Sequence, residues 1–286
     1  MQIAVISGKG GTGKSSITAA LASLSQRIVL VDCDVDASNL YLLFNPTHEE
    51  EESFVGGEKA VINYDLCTHC GICMQHCRFD AITETNGHIK IEEIFCDGCH
   101  LCSRICPEQA IRMIEEKNSR YYAGSFRNGK MVYGRLAPGE ENTGLLVNKV
   151  REKAKEIAKK ESIDFILLDG PPGISCPLLS TITGVDKVLI VTEPSLSALH
   201  DLERVIETAR NFEIKADILI NKYDLNTEIT EHIQKRAKEL AIEIVAMIPY
   251  EPLFVKAMIQ QQSIVEYAPH SESSQLLRNA YKKIVE

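Results

Sequence analysis

The sequence has no hydrophobic run able to cross a bilayer. Its longest apolar stretches, such as Ile28–Val31 and Phe165–Leu168, fall far short of the ~18 residues a membrane helix requires. Gln2–Ile6 already reads as a core strand, which leaves no room for a signal or transit peptide. Basic residues are the minority: 31 Lys and Arg stand against 40 Asp and Glu, a formal charge of -9. That balance disfavours non-specific binding to nucleic acid or to an acidic membrane surface. A cytoplasmic chain is expected, with no nucleic-acid partner and no stable membrane anchor. Apolar residues are not scarce overall, at 44% against 25% charged, which excludes a disordered or fibrous chain. At ~150 residues per domain, 286 residues make about two domains.

What the chain has in unusual measure is cysteine. Without a secretory segment, a disulfide framework is not expected for the ten cysteines, and their spacing points to metal. Eight of the ten, with four of the eight histidines, fall between Val61 and Ile114. This stretch repeats itself 29 residues on, pairing Cys67 with Cys96, Cys70 with Cys99, Cys73 with Cys102, Cys77 with Cys106, Ala81 with Ala110 and Ile82 with Ile111. A period in that range marks a duplicated structural unit. Upstream, Thr47–Lys59 is acidic, holds Gly56-Gly57 and reads as a linker. Downstream, Arg120–Arg135 reads as a hairpin with Asn128-Gly129 as a type I′ turn.

The remainder alternates. Gln2–Ser7, Ile28–Val31, Phe165–Leu168, Lys187–Val191, Asp217–Ile220 and Ile244–Ile248 read as buried strands. Helical patterns run up to Leu24 and over Leu145–Lys160, Ala198–Asn211 and Glu228–Leu240. The alternation predicts an α/β fold with a mostly parallel, doubly wound sheet covered on both faces. A small duplicated domain is spliced into it after the second strand.

Gly8 to Ser15 follows the pattern G-x-x-x-x-G-K-S between a strand and a helix. Glycines there let backbone N–H groups turn inward around phosphates, and the helix N-terminus adds its positive end. Gly8, Lys9, Gly10, Gly11, Thr12, Gly13, Lys14, Ser15 and Ser16 are therefore candidates for binding nucleotide. Lys14 is expected to reach the β/γ-phosphates and Ser15 to hold Mg²⁺.

With Lys9 directly after the first glycine, the loop resembles the deviant Walker A motif of the MinD/ParA/Mrp and nitrogenase-iron-protein class of dimeric P-loop ATPases. The resemblance implies that Lys9 reaches across a homodimer interface to the partner's nucleotide, making Lys9, Lys14 and Asp34 catalytic. Asp32-Cys33-Asp34-Val35-Asp36 sits where that class has switch I. Asp34 matches the aspartate that positions the attacking water, and Asp36 is a candidate for the outer shell of Mg²⁺. One of the three aspartates can instead cap a helix, and Asp36 is the first choice for that role. Asp169-Gly170-Pro171-Pro172-Gly173 resembles switch II, with Asp169 as the Walker B carboxylate near Mg²⁺. Asn221-Lys222-Tyr223-Asp224 resembles the base-recognition motif, with Asn221 on the purine, and Ile248-Pro249-Tyr250 resembles the late strand beside the base. That motif also resembles the guanine-reading one of GTPases, so ATP is favoured by the family and not by residue chemistry.

The runs Cys67-x2-Cys70-x2-Cys73-x3-Cys77 and Cys96-x2-Cys99-x2-Cys102-x3-Cys106-Pro107 resemble the double run of a bacterial-type ferredoxin, in which the fourth cysteine of each run ligates the other cluster. The resemblance implies two [4Fe–4S] clusters, one held by Cys67, Cys70, Cys73 and Cys106, the other by Cys96, Cys99, Cys102 and Cys77. Zinc is the poorer reading, because zinc sites usually pair two C-x2-C units. Arg78 replaces the proline expected after Cys77. His69, His76 and His100 read as surface or hydrogen-bonding residues. Cys33 and Cys176 read as small buried thiols, although Cys176 follows Asp169 at a spacing similar to that of an interface cluster ligand in the nitrogenase iron protein.

Taken together, Met1–Glu58 and Asn118–Glu286 resemble a MinD-type ATPase, and Lys59–Lys117 a two-cluster ferredoxin. The combination implies an ATP-driven dimer switch serving electron transfer to, or metallocluster maturation of, a partner protein. The alternative is a positioning or partition ATPase that uses the clusters as a redox sensor. The apolar face of Ser271–Glu286, with Leu276, Leu277, Ala280, Tyr281 and Ile284, carries few basic neighbours and reads as a docked final helix, not a membrane anchor.

Overall fold

The computed structural model describes residues 1–140 and 142–285. The strands, in chain order, are β1 (Gln2–Ser7), β2 (Ile28–Asp32), β3 (Glu50–Phe54), β4 (Glu58–Ile62), β5 (Ile82–Thr85), β6 (His88–Ile91), β7 (Ile111–Glu115), β8 (Ser119–Phe126), β9 (Gly129–Arg135), β10 (Ile166–Pro172), β11 (Lys187–Thr192), β12 (Lys215–Asn221) and β13 (Glu243–Ile248). The chain divides into two compact units: Met1–Glu51, Tyr121–Gly134 and Gly144–Glu286 form the first, Glu52–Arg120 and Arg135–Thr143 the second.

The first unit is built on a sheet in the order β13-β12-β11-β1-β10-β2-β9-β8-β3. From β13 to β9 every adjacent pair is parallel. β1 lies at the centre, and Ile3, Ala4, Val5 and Ile6 are fully buried, as expected of a strand covered on both faces. Helix α1 (Lys14–Leu24) buries Ile17, Thr18, Ala19, Ala20, Leu21 and Ala22. The final helix, Glu272–Val285, buries Leu277, Ala280 and Ile284 in the same core, with Leu276 and Tyr281 packed against it. Its apolar face is spent inside the protein. No helix among the described residues is long and apolar enough to cross a membrane.

Parallel strands all present their C-terminal ends to one edge of the sheet, where α/β folds place ligands. Here that edge carries the Gly8–Ser15 loop after β1, Asp32 at the end of β2, Asp169 in β10, Glu193 after β11 and Asn221 at the end of β12.

Two local expectations are corrected. The acidic stretch Thr47–Lys59 is not merely a linker: it holds β3 and opens β4. Glu50, Glu51 and Glu52 are exposed on β3, the outermost strand of its sheet, and charges on an edge strand block pairing with further chains. The turn between β8 and β9 is Arg127-Asn128, and neither residue has a positive φ, so it is not type I′. Gly129 instead opens β9, where a Cβ would lie 2.1 Å from the Ile28 carbonyl oxygen. The glycine serves a close approach to β2.

The second unit contains two small antiparallel pairs, β4 with β7 and β5 with β6. Two short helices, α3 (Ile72–Gln75) and α4 (Leu101–Ile105), begin 29 residues apart and repeat the sequence period in three dimensions. Its hydrophobic cluster is Ala60, Ile62, Ile82, Ile89 and Ile111, with Phe54, Ala81 and Ala110 also buried, and six of the repeat's cysteines pack against the cluster.

Candidate nucleotide site and cysteine hollows

The Gly8–Ser15 loop connects β1 to α1 through two left-handed residues, Gly11 at φ +83° and Gly13 at φ +88°. A Cβ on Gly13 would stand 2.3 Å from Asn221 Nδ2, so only glycine fits there. Lys14 is buried, and its ammonium lies 2.9 Å from Asp169 Oδ2. The Ser15 hydroxyl donates to the same oxygen at 2.7 Å, and Thr18 donates to Asp169 Oδ1 at 2.6 Å. Asp169, 1% exposed, thus joins the helix start to β10 and balances the Lys14 charge. Thr12 Oγ1 is buried within the loop with no hydrogen-bond partner. An unsatisfied buried hydroxyl is costly, and a bound phosphate is an acceptor that would satisfy it. The Ser16 hydroxyl lies 3.5 Å from Met258 Sδ, and with Ser15, Asn39, Leu40, Leu42 and Leu43 these residues line an open cavity.

The three switch aspartates have different surroundings. Asp32 is fully buried and in register with Asp169. Its Oδ2 accepts from the Ser38 hydroxyl at 2.9 Å, from Asn39 N at 3.0 Å and from Leu40 N at 3.2 Å, where α2 (Leu40–Phe44) begins. Burial first, then the Asp169 charge, pushes its carboxyl up to about 7, against the pull of Lys14. Asp34 is partly buried; desolvation raises it, with Lys14 pulling the other way and Asp169 reinforcing the rise. Asp36 is exposed. The start of α2 is therefore capped by Asp32, not Asp36, and both Asp32 and Asp34 feel the charges of Lys14 and Asp169. The signal for Asp32 in the sequence was its position as the last residue of a buried strand.

Lys9 is held by a residue the sequence reading did not single out. Its Nζ lies 2.7 Å from Glu193 Oε1, while Lys222 Nζ lies 2.9 Å from Glu193 Oε2 and donates to the Gly11 carbonyl at 2.9 Å. Partial burial works to raise the Glu193 carboxyl, but the two lysines outweigh it and hold it below the ordinary range. Asn221 donates from Nδ2 to the Thr12 carbonyl at 2.8 Å and accepts from Lys222 N at 3.1 Å. It braces the phosphate loop from β12, a contact that sequence spacing does not reveal.

In the second unit the eight repeat cysteines gather into two sets. Cys67, Cys70, Cys73 and Cys106 line one hollow of ≈ 370 Å³. Cys77, Cys96, Cys99 and Cys102 line another of ≈ 360 Å³. Each set takes three thiols from one run and the fourth from the other. Each middle cysteine is flanked by left-handed residues: His69 and Gly71 about Cys70, Gly98 and His100 about Cys99. Such turns curl successive backbone N–H groups into anion-binding concavities, iron–sulfur sites among them. Burial, with the charges of Cys96 and Cys99 adding to it, pushes the Cys102 thiol up to about 11, and burial likewise raises Cys73. Four thiolates round one hollow would need a cationic centre to offset them. Among the described residues no group of three or more His, Cys, Asp or Glu side chains is arranged to hold a single metal ion. His76 Nδ1 lies 2.9 Å from the Ile72 carbonyl and His100 Nε2 lies 2.9 Å from Glu58, which are hydrogen-bonding roles. Outside the sets, Cys33 is buried, and burial pushes its thiol up to about 12. Cys176 is exposed at the start of its helix, contrary to the expected buried thiol.

Residues 3–264 match the family of the CobQ/CobB/MinD/ParA nucleotide binding domain. The chain belongs to this family. It is a nucleotide-binding ATPase of the MinD/ParA kind, related to the nitrogenase iron protein. The uncharacterized protein MJ0578 of Methanocaldococcus jannaschii is 38% identical over 229 residues, 79% of this chain and 79% of its own length. Nitrogenase iron protein 2 of Methanothermococcus thermolithotrophicus is 24% identical over 292 residues, covering 98% of this chain and 86% of its own. Among solved structures, the septum site-determining protein MinD complexed with Mg-ADP from Pyrococcus horikoshii shares the fold, with a TM-score of 0.60 at 19% identity, over 99% of this chain and 95% of that one.

Proposed function

We propose that this MinD/ParA-type ATPase is an iron–sulfur protein in which a nucleotide-dependent homodimer governs two [4Fe–4S] clusters, serving electron transfer to, or metallocluster maturation of, a partner protein. One observation carries the reading. The thiols of a small unit with almost no apolar core line two hollows in crossed sets of four, in a chain whose other unit is an ATPase. Four-iron clusters in those hollows would supply one-electron storage, usually at low potential. The thiols of Cys67, Cys70, Cys73 and Cys106 would hold one, and those of Cys96, Cys99, Cys102 and Cys77 the other.

In the first unit, ATP phosphates would draw Lys14 off Asp169 and satisfy Thr12. Ser15 and Asp169 would then hold Mg²⁺, since Mg²⁺ takes hard oxygen ligands, with Asp32 in its outer shell. Asp34, on the segment that Asp32 secures, would orient the attacking water. Lys9 would leave Glu193 for the nucleotide of the second subunit. MinD likeness also suits a positioning ATPase with a redox sensor, but the final helix buries its apolar face and offers no membrane surface.

The test is the midpoint potential of each cluster in anaerobic protein, with and without Mg·ATP. Coupling between sites is reciprocal, so a nucleotide that binds the reduced form tenfold better raises a one-electron potential by ~59 mV. A shift of that size is expected. Protein reconstituted with iron and sulfide that holds neither cluster overturns the reading.

A further inference from the structure

The repeat makes a symmetry argument available. Lys59 lies on β4 with its side chain 7% exposed. Its ammonium donates to the backbone carbonyl of Cys96, the first cysteine of the second run, and to the Gly139 carbonyl at 3.3 Å. The nearest counter-charge is Glu116, at 3.6 Å. Shifted by the 29-residue period, Lys59 corresponds to His88, and Cys96 corresponds to Cys67. His88 is exposed, and its ring meets His69 edge-on at 5.0 Å. The hollow of Cys77, Cys96, Cys99 and Cys102 therefore has a buried ammonium on its own backbone. At the equivalent place the other hollow has an exposed imidazole.

We propose that Lys59 makes the two clusters unequal, so that a chain carrying one electron holds it at the cluster of Cys96, Cys99, Cys102 and Cys77. This inference rests on the iron–sulfur reading above. A cluster gains negative charge on reduction, and a nearby cation favours the reduced form. Away from water that interaction is weakly screened. Glu116, 3.6 Å from the ammonium, opposes it in part. The other ion pair near this hollow, His100 with Glu58, has both side chains well exposed, at 40% and 38%, and counts for little.

The experiment is an EPR-monitored redox titration of the full chain, reconstituted anaerobically with iron counted beforehand. The readout is the gap between the two midpoint potentials, which needs no assignment of either. Lys59→Met is expected to narrow the gap by at least tenfold in equilibrium constant, ~59 mV for one electron. Glu116→Gln is expected to widen it, and Lys59→Arg to preserve it. A merely structural lysine would not give opposite signs at the two positions. An unchanged or wider gap in Lys59→Met overturns the proposal. If that variant fails to hold its clusters, Glu116→Gln decides: widening supports the proposal, no change or narrowing overturns it. Wild-type protein with fewer than two clusters defeats the iron–sulfur reading itself, a failure visible in the iron count before any titration.

Discussion

β1 of the first unit is a run of fully buried apolar residues between two parallel neighbours, with helices burying further side chains over it. β4 and β7 of the second unit pair only with each other, and the cluster beneath them is one alanine and four isoleucines. The first unit has enough apolar surface to fold by burial; the second has a much smaller apolar core, and under the proposed reading its clusters would staple it. The same difference separates their chemistry. In the first, charged side chains stand at the ends of a rigid sheet. In the second, it is the cysteines of the proposed sites that pack against the core.

The largest expected effect breaks this comparison most directly. Stripping iron from the reconstituted protein with a chelator should expose the amides of β4 to β7 to hydrogen exchange while β1, β10 and β11 stay protected. Persistent protection of β4 to β7 in metal-free protein would show that the second unit folds by its apolar core after all. Next, Lys14→Ala should cut ATP hydrolysis by about 10²–10³-fold, the usual loss when one electrostatic stabiliser is removed, and leave iron content unchanged. A parallel loss of iron would mean the two units do not separate.

A smaller effect is set by pH. The Asp32 carboxyl is raised in the fold to about 7 from an ordinary 3.8. Its contribution to stability is therefore fully present below about pH 4 and is lost as pH rises through about 7. Asp32→Asn keeps an oxygen for the Asn39 and Leu40 N–H groups and removes the charge. Nucleotide-free wild type should lose thermal stability relative to Asp32→Asn between pH 5 and pH 7.5, read from melting curves; parallel curves would refute it. The smallest effect belongs to Cys176→Ala. An exposed thiol outside both cysteine sets should change stability by no more than ~0.5 kcal/mol and leave iron per chain unaltered. A loss of iron would reinstate Cys176 as an interface ligand.

The elements most legible in the sequence were those whose pattern serves a single purpose. β1 and the loop after it declare themselves because uninterrupted apolar residues meet a glycine-rich turn. The grouping of Cys106 with the first run and Cys77 with the second was also readable, through resemblance to ferredoxins. β3 was hidden because an edge strand protected by glutamates has the composition of a linker. Glu193 and Asp32 were hidden for a different reason. Each is a single charged residue at a strand end, and only the strand order of the sheet shows which lysine or carboxylate it will meet. Asn128-Gly129 misled because glycine can answer either a turn's φ or a neighbour's approach, and here it answers the second.

The left-handed residues around Cys70 and Cys99 show how a duplicated ancestor drifts. In the first run the order is histidine, cysteine, glycine; in the second it is glycine, cysteine, histidine. The two copies exchanged which side kept the glycine, and their freedom to vary now differs. A methyl group at Gly71 would meet nothing within 4 Å, whereas at Gly98 it would lie 2.2 Å from the Glu58 carbonyl oxygen. A graft of the first run's loop onto the second would carry His69 into that crowded place. The halves repeat one pattern, yet they are not spare parts for each other.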